Sequence, residues 1–280
     1  MQHHRPTWAP DEIDMERPSA ARMYDYYLGG SNNFAADREL AEASLRNWPD
    51  LGHIARANRA YLHRVVTELC RAGIDQFLDL GSGIPSGGCV HDVARTHRPG
   101  SRTVYVDSDL VAVAHSTTLL ADASDAVVIH ADLRDPAALL ENSLVNGFLD
   151  LSRPVAVLMI SVLHFVSEED SPAEMIAAYR DATAPGSYLA VSHGTGDYNP
   201  TESSNARGIY AKADYGLTLR SRAQLAELMD GYDLIEPGLV DMIHWRPDAP
   251  DETQPEPLGG DVTRYSMLAA VGRTPTDAAA

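Results

Sequence analysis

The chain has 280 residues and 44% hydrophobic content, enough for one large core, and α/β domains of about 250 residues commonly fold undivided. A formal net charge of −18 argues against nucleic acid as a partner, because phosphates demand a basic surface. No run of about 18 apolar residues suggests a membrane span, and the polar start 1–6 lacks a signal-peptide core, so a cytoplasmic location is expected.

Residues 1 to 16 and 273 to 280 are polar and are expected to be disordered tails around a single domain, 17–272, made of a helical segment 17–74 and a core 75–272. Helical character appears over 20–28 and 37–48, with Asp37 a candidate N-cap. Ile54, Ala57, Tyr61, Leu62, Val65, Val66, Leu69 and Cys70 form one stripe at helical spacing, and Gly73 supplies the stop. Tyr24, Asp25, Tyr26, Tyr27, Gly29, Gly30, Asn32 and Asn33 suit either a glycine-terminated helix with packed tyrosines or a cap over a small ligand. Composition leaves both open. Cys70 and Cys89 have no metal-type spacing, and both fit a reducing compartment.

Residues 76 to 80 form a short apolar run that stops at Gly81, Ser82 and Gly83 before a helix-like stretch. A buried strand turning through glycine into a helix brings main-chain N–H groups close to a ligand. Asp107 lies 26 residues after Gly81, at the end of a second strand-like run, 103–106, where an acidic side chain can accept from two ribose hydroxyls. A nucleoside is therefore the expected ligand. Position 86 is Ser and Pro85 interrupts the loop, so the G-x-G-x-x-G dinucleotide pattern fails, and no P-loop is present. Asp79, two residues before the first glycine, suits a ligand with positive charge and no phosphate. S-adenosylmethionine has that chemistry.

Residues 126–130 read as a third strand, followed by Asp132, a candidate acceptor for an adenine amino group, and by Asp135 capping a helix that starts at Pro136. The run 153–161 is nearly continuous in apolar residues, as in a parallel strand covered on both faces, and it ends near Ser161 and His164. A fifth strand, 187–193, ends at His193. The polar insertion 194–216, with Tyr198, Asn199, Tyr210, Lys212 and Tyr215, leaves the ligand edge and is expected to form a lid or acceptor wall; its plainer reading is a surface helix over 202–212. Ser221 and Gln224 form a capping box for a helix to about Met229. Two last strands, 234–243 and 264–271, flank a proline-rich acidic loop, 246–257.

Together these segments resemble the class I S-adenosylmethionine-dependent methyltransferases. More narrowly, they resemble a bacterial S-adenosyl methyltransferase family once catalogued as a domain of unknown function. The likeness is carried by the stretches 18–30, 32–34, 36–38, 57–59, 77–85, 104–107, 155–158, 163–166 and 192–193, and it spans residues 18 to 272; the Tyr24-to-Gly30 segment is its most specific part. The resemblance implies a Rossmann-like fold, a seven-stranded mostly parallel sheet with helices on both faces, and an N-terminal helical cap. It implies S-adenosylmethionine as cofactor and S-adenosylhomocysteine as product, and implies little about the acceptor; the net charge of −18 favours a small molecule over nucleic acid, and neither a membrane partner nor a metal is expected. Tyr24, Gly29, Arg59, Asp79, Gly81, Ser82, Gly83, Asp107, Ser108, Asp132, Leu133 and Ser161 are the expected cofactor contacts. Arg22 and Arg59, with Arg38 behind them, are candidate clamps for the methionine carboxylate. His164 is the candidate base, with Tyr24 and Asp25 as second choices and His193 read as structural. Two rivals remain: a nicotinamide-dependent oxidoreductase, and a non-enzymatic sensor or degenerate partner subunit.

Overall fold

The computed structural model describes residues 14–85, 88–199, 207–208, 210, 216–247 and 258–276. The disorder expected for 1–13 and 277–280, most of the segment 202–212 with Lys212 and Tyr215, and most of the acidic loop lie outside these residues; 207, 208 and 210 are helical, and Arg273, expected in the disordered tail, ends a strand.

Three helices come first: α1 (Ala20–Tyr27), α2 (Ala35–Asn47) and α3 (Leu51–Arg71). The N-cap of α2 is Phe34 rather than Asp37. Asp37 sits in the first turn and reaches back, its carboxylate accepting from Phe34 N at 2.7 Å and Ser19 N at 2.8 Å. It also holds the buried Arg22 guanidinium at 2.9 Å, which ties α1 to α2. Gly73 adopts φ +100° and ends α3 as expected.

The sheet is built from β1 (Gln76–Leu80), β2 (Arg102–Asp107), β3 (Ala126–His130), β4 (Ala156–Ile160), β5 (Tyr188–Gly194), β6 (Asp233–Leu234), β7 (Val240–Asp241) and β8 (Met267–Arg273). Its order is β3-β2-β1-β4-β5-β8-β6, with β7 also paired to β8. The first five strands are parallel and β8 runs antiparallel to β5. The sheet therefore has eight strands in seven positions. The single edge strand expected over 234–243 is broken in two, because Pro237 has no N–H to give and Gly238 takes φ +82°.

Among the described residues the further α-helices are α4 (Val90–His97), α5 (Leu110–Leu119), α6 (Pro136–Leu140), α7 (Ser143–Phe148), α8 (Pro172–Ala182), α9 (Arg222–Leu228) and α10 (Val262–Tyr265). Alternation along the strands sends Phe77, Tyr105, Leu158 and Ala190 into one core with Leu62, Val65, Val66 and Leu69 of α3. It sends Leu78, Val106, Met159 and Leu189 into a second core with Met175, Ile176 and Tyr179 of α8. Tyr61 of α3 is fully buried and its hydroxyl donates to Val191 O at 2.9 Å, pinning the helix across the sheet. The period of two that puts Phe77 toward α3 puts Asp79 there too, and Tyr105 does the same for Asp107.

Candidate functional site

The turn after β1 is shaped by two contacts with β2: Gly81 N and Ser82 N both donate to Val106 O, at 2.8 and 3.1 Å. Gly81 takes φ +69°, and a Cβ there would lie 2.2 Å from Val162 Cγ2. Gly83, at φ +64°, has open space where its Cβ would be, and its N–H donates to Asp107 Oδ2 at 2.7 Å. The other Asp107 oxygen accepts from Asp109 N at 2.8 Å. Main-chain amides thus aim the carboxylate. Ser82 Oγ is buried with no hydrogen-bond partner among the described residues.

These groups open onto a cavity of about 580 Å³ at the carboxyl ends of β1 to β5, roofed by α1 to α3. That size is ordinary for a small-molecule site, about 300–1,000 Å³. Asp79 and Asp107 are both buried on its wall. Burial pushes the Asp79 carboxyl up to about 7, against the pull of the Arg59 guanidinium and with help from the Asp107 charge. Burial likewise pushes Asp107 up to about 6, its main-chain donors opposing. A cation brought beside Asp79 favours the ionised form and expels the proton. Affinity for a cationic nucleoside is therefore expected to rise from pH 5.5 to 7.5, across the two carboxyl values of about 6 and about 7, with net proton release near neutrality. Calorimetry in two buffers of different ionisation heat measures that release, and Asp79→Asn is expected to flatten the profile.

A chain of side chains links the roof to the floor. Tyr24 Oη donates to Ala55 O at 3.0 Å and accepts from Asn58 Nδ2 at 2.9 Å. Asn58 Oδ1 accepts from Ser192 Oγ at 2.6 Å, and Ser192 Oγ accepts from Ser161 N at 2.9 Å. Ser161, at φ +55°, forms the turn after β4 on the cavity wall. Arg59, one residue after Asn58, places its guanidinium 5.9 Å from the Tyr24 ring centre.

Beyond β3, Asp132 and Leu133 also line the cavity. Arg134 grips the Asp132 carboxylate, Nη2 to Oδ2 at 2.6 Å, and holds it below the usual carboxylate range. Arg134 also lies 3.5 Å from Asp170, so the loop after β4 is drawn toward the β3 end.

His164 stands on the wall in the one-turn helix Leu163–Phe165. Its Nδ1 accepts from Gly194 N at 3.4 Å, which leaves the ring proton on Nε2. Burial, the His193 ring and the Arg220 charge hold its pKa well below the ordinary value. His164 is therefore neutral at neutral pH and a weaker base than an ordinary imidazole. His193 is fully buried: Nδ1–H donates to Gly194 O at 2.6 Å, and Nε2 accepts from Arg220 Nη1 at 3.1 Å. Burial takes it down to about 4, as fits a structural histidine.

The cavity brings together Tyr24, Arg59, Asp79, Gly81, Ser82, Gly83, Asp107, Ser108, Asp132, Leu133, Ser161 and His164. Gly29 stands apart. It is exposed at φ +82°, and its N–H closes the end of α1 on Tyr26 O. Asp25 is buried off the cavity wall, where it accepts from Asn32 N and Asn33 Nδ2, both at 2.8 Å, to shape the 28–34 loop. Arg22 is taken by Asp37, and Arg38 donates to Asn33 O at 2.8 Å. Of the three arginines proposed as clamps, only Arg59 lines the cavity. Sequence reasoning missed Asn58, Arg134 and the wall formed by Phe165, Leu217 and Leu219. The Ala57–Arg59 stretch held a signal for Asn58; nothing local marked the others.

S-adenosylmethionine fits this wall. The buried Ser82 hydroxyl, two raised carboxyls and a glycine turn with room at Gly83 match a ligand that has hydroxyl donors and positive charge. A diphosphate would face the same carboxylates with repulsion. No described helix is long and apolar enough to cross a membrane.

Comparison with known proteins agrees with this chemistry. The S-adenosyl methyltransferase family model matches residues 6–275. A crystal structure of a methyltransferase candidate from Thermobifida fusca YX is 36% identical, covers 96% of this chain and 100% of its own, and superimposes with a TM-score of 0.88. A DUF574 family protein from Streptomyces avermitilis MA-4680 is 38% identical over 94% of this chain and 100% of its own, at a TM-score of 0.89. An O-methyltransferase family protein from Burkholderia thailandensis shares the fold at 15% identity, 85% and 71% coverage and a TM-score of 0.51. No curated protein matches the chain. With its glycine turn after the first strand and a near-complete match to the family model, the chain belongs to the S-adenosyl methyltransferases.

Proposed function

We propose that this S-adenosylmethionine-dependent methyltransferase acts on a small molecule, in the cytoplasm, with the cofactor lying along the β1–β3 end of the cavity. The convergence of the buried Asp79 and Asp107 on the glycine turn carries this reading. Asp107 would accept from the ribose hydroxyls, the 81–83 turn would pass its backbone close to the ligand, and Asp132 with Leu133 would meet the adenine. Arg59 would hold the methionine carboxylate, with Asp79 near the ammonium and Tyr24 closing over that end. The net charge of −18 supports a small acceptor over a nucleic acid.

The bound cofactor supplies a methyl group on a sulfonium, already electrophilic. What remains for the protein is alignment and exclusion of water. Helices α1 to α3 cover the cavity, and the Tyr24–Asn58–Ser192 relay fixes the floor at Ser161. His164 would offer its Nε2–H to a polar atom of the acceptor, and so orient it without taking its proton. An open second compartment beside the cofactor end favours an enzyme over a sensor.

Calorimetry tests the cofactor reading. Asp107→Ala removes an acceptor and leaves donors unpaired, a loss of roughly 1–3 kcal/mol in S-adenosylhomocysteine binding. Unchanged affinity in that variant, or tighter binding of NAD than of S-adenosylhomocysteine, would overturn it.

A further inference from the structure

The cavity is divided by chemistry along the sheet. Every charged side chain on its described wall belongs to α3, to the carboxyl ends of β1 and β2, to the turns after β2 and β3, or to the Glu169–Asp170 end of the loop after β4. Asp170 faces Arg134 at 3.5 Å, so that end leans toward β3. Over β5 and β8 the wall changes to Phe165, Tyr210, Leu217, Leu219, Tyr265 and Met267.

This second wall is continuous. The Phe165 ring lies 4.5 Å from His164 and 5.8 Å from Tyr210. Tyr210 in turn packs against the α1 cluster of Met23 and Tyr27. On the floor, Leu219 Cδ2, His164 Nδ1 and Met267 Sδ surround Gly194, the first so tightly that a Cβ there would come within 2.8 Å. Glycine thus keeps the floor open between aromatic and aliphatic sides. His164 is neutral, and the phenol of Tyr210 is held well above its ordinary pKa by burial. No described side chain lining this side carries a charge at neutral pH; the Arg220 cation lies behind His164 and His193 and is paired with Glu168.

We infer that this compartment is the acceptor subsite and that it takes an uncharged, planar, largely apolar ring bearing the nucleophilic atom. A carboxylate or ammonium placed there would lose its water and touch no opposite charge on the lining. An aromatic ring would gain edge and face contacts from Phe165 and Tyr210. His164 brings an Nε2–H to this side, which suits a hydroxyl or ring-nitrogen acceptor on such a molecule. Amino acids, polyamines and sugar phosphates are excluded as acceptors by the same wall. The inference rests on the cofactor lying at the polar end.

The test uses the full chain saturated with S-adenosylhomocysteine and titrated by calorimetry at neutral pH. The probes are 2-naphthol, 2-naphthoate and tyramine: neutral, anionic and cationic aromatic molecules with about the same number of non-hydrogen atoms. 2-Naphthol is expected to bind one to one and about tenfold tighter than either ion, because an unpaired buried charge is unfavourable. Phe165→Ala and Tyr210→Ala are each expected to weaken naphthol about tenfold through lost ring burial. S-adenosylhomocysteine affinity should stay within about twofold in both variants, which also certifies that they are folded. Equal binding of naphthoate or tyramine overturns the inference. So does an unchanged naphthol affinity in both variants, or displacement of S-adenosylhomocysteine by naphthol. If S-adenosylhomocysteine itself fails to bind the wild type, the cofactor reading falls; if it binds and naphthol does not, only the acceptor class falls.

Discussion

Replacing Arg220 by methionine is expected to lower stability by about 3–5 kcal/mol, the scale of breaking a buried polar network. The side chain is 2% exposed and reaches four partners. It donates to Leu163 O and Val166 O, both at 2.9 Å, to His193 Nε2 at 3.1 Å and to Glu168 Oε1 at 2.8 Å. Three of these acceptors are buried and find no substitute donor in methionine. Glu168 is largely exposed, so the ion pair itself adds little. Urea unfolding gives the loss directly, and a change under about 1 kcal/mol sinks the account. The pH dependence supplies a second readout. His193, held near 4 when folded, binds fewer protons than the unfolded chain, whose value is about 6.5. Stability therefore falls as pH drops from about 6.5 toward 4, and it is intact above that window. Without the Arg220 charge the folded value rises, so the variant should lose less over the same range.

Gly81→Ala carries the second large effect, and here binding suffers most. At φ +69° an alanine is strained by about 1–2 kcal/mol. Its Cβ would also overlap Val162 Cγ2 at 2.2 Å, so the turn or the β4 loop must shift. A shift there moves Ser82, Gly83 and the hydrogen bond to Asp107 together. S-adenosylhomocysteine affinity is expected to drop by roughly 100-fold, as when positioning is lost by about 1 Å. The double variant with Val162→Ala removes the overlap but not the backbone strain. It should regain part of the affinity while remaining less stable than wild type. Full recovery in the double variant would mean that the backbone conformation at Gly81 is immaterial.

The parallel half of the sheet was legible in the sequence because each strand is a short apolar run closed by a polar residue. Buried parallel strands leave that pattern, and Asp79, Asp107 and Asp132 punctuate it at the ligand edge. The edge of the sheet was less legible, since a two-residue strand carries almost no periodic signal. The Tyr24-to-Gly30 segment was legible as unusual but not in its use. Its Tyr24 reaches the cavity, whereas Asp25 turns inward to build the 28–34 loop and Gly29 ends a helix. Asn58 and Ser192 are 134 positions apart, and only the finished sheet brings them together. Arg220 reaches His193 in the same way, across 27 positions. Buried polar networks of this kind leave no local pattern.

The relay from Tyr24 to Ser161 also gives the protein a built-in reporter. The Ser161 amide is donated both to Ser192 Oγ and to Ser192 O, in a turn at the cavity floor. Ser192 Oγ is held in turn by Asn58, and Asn58 by the hydroxyl of Tyr24 on α1. Lifting α1 off the body of the protein unhooks one end of that series, and the loosening is transmitted to a main-chain hydrogen at the other. Deuterium uptake at Ser161 is therefore expected to rise in Tyr24→Phe, even though the residue itself belongs to the floor and keeps its bond to Ser192 O.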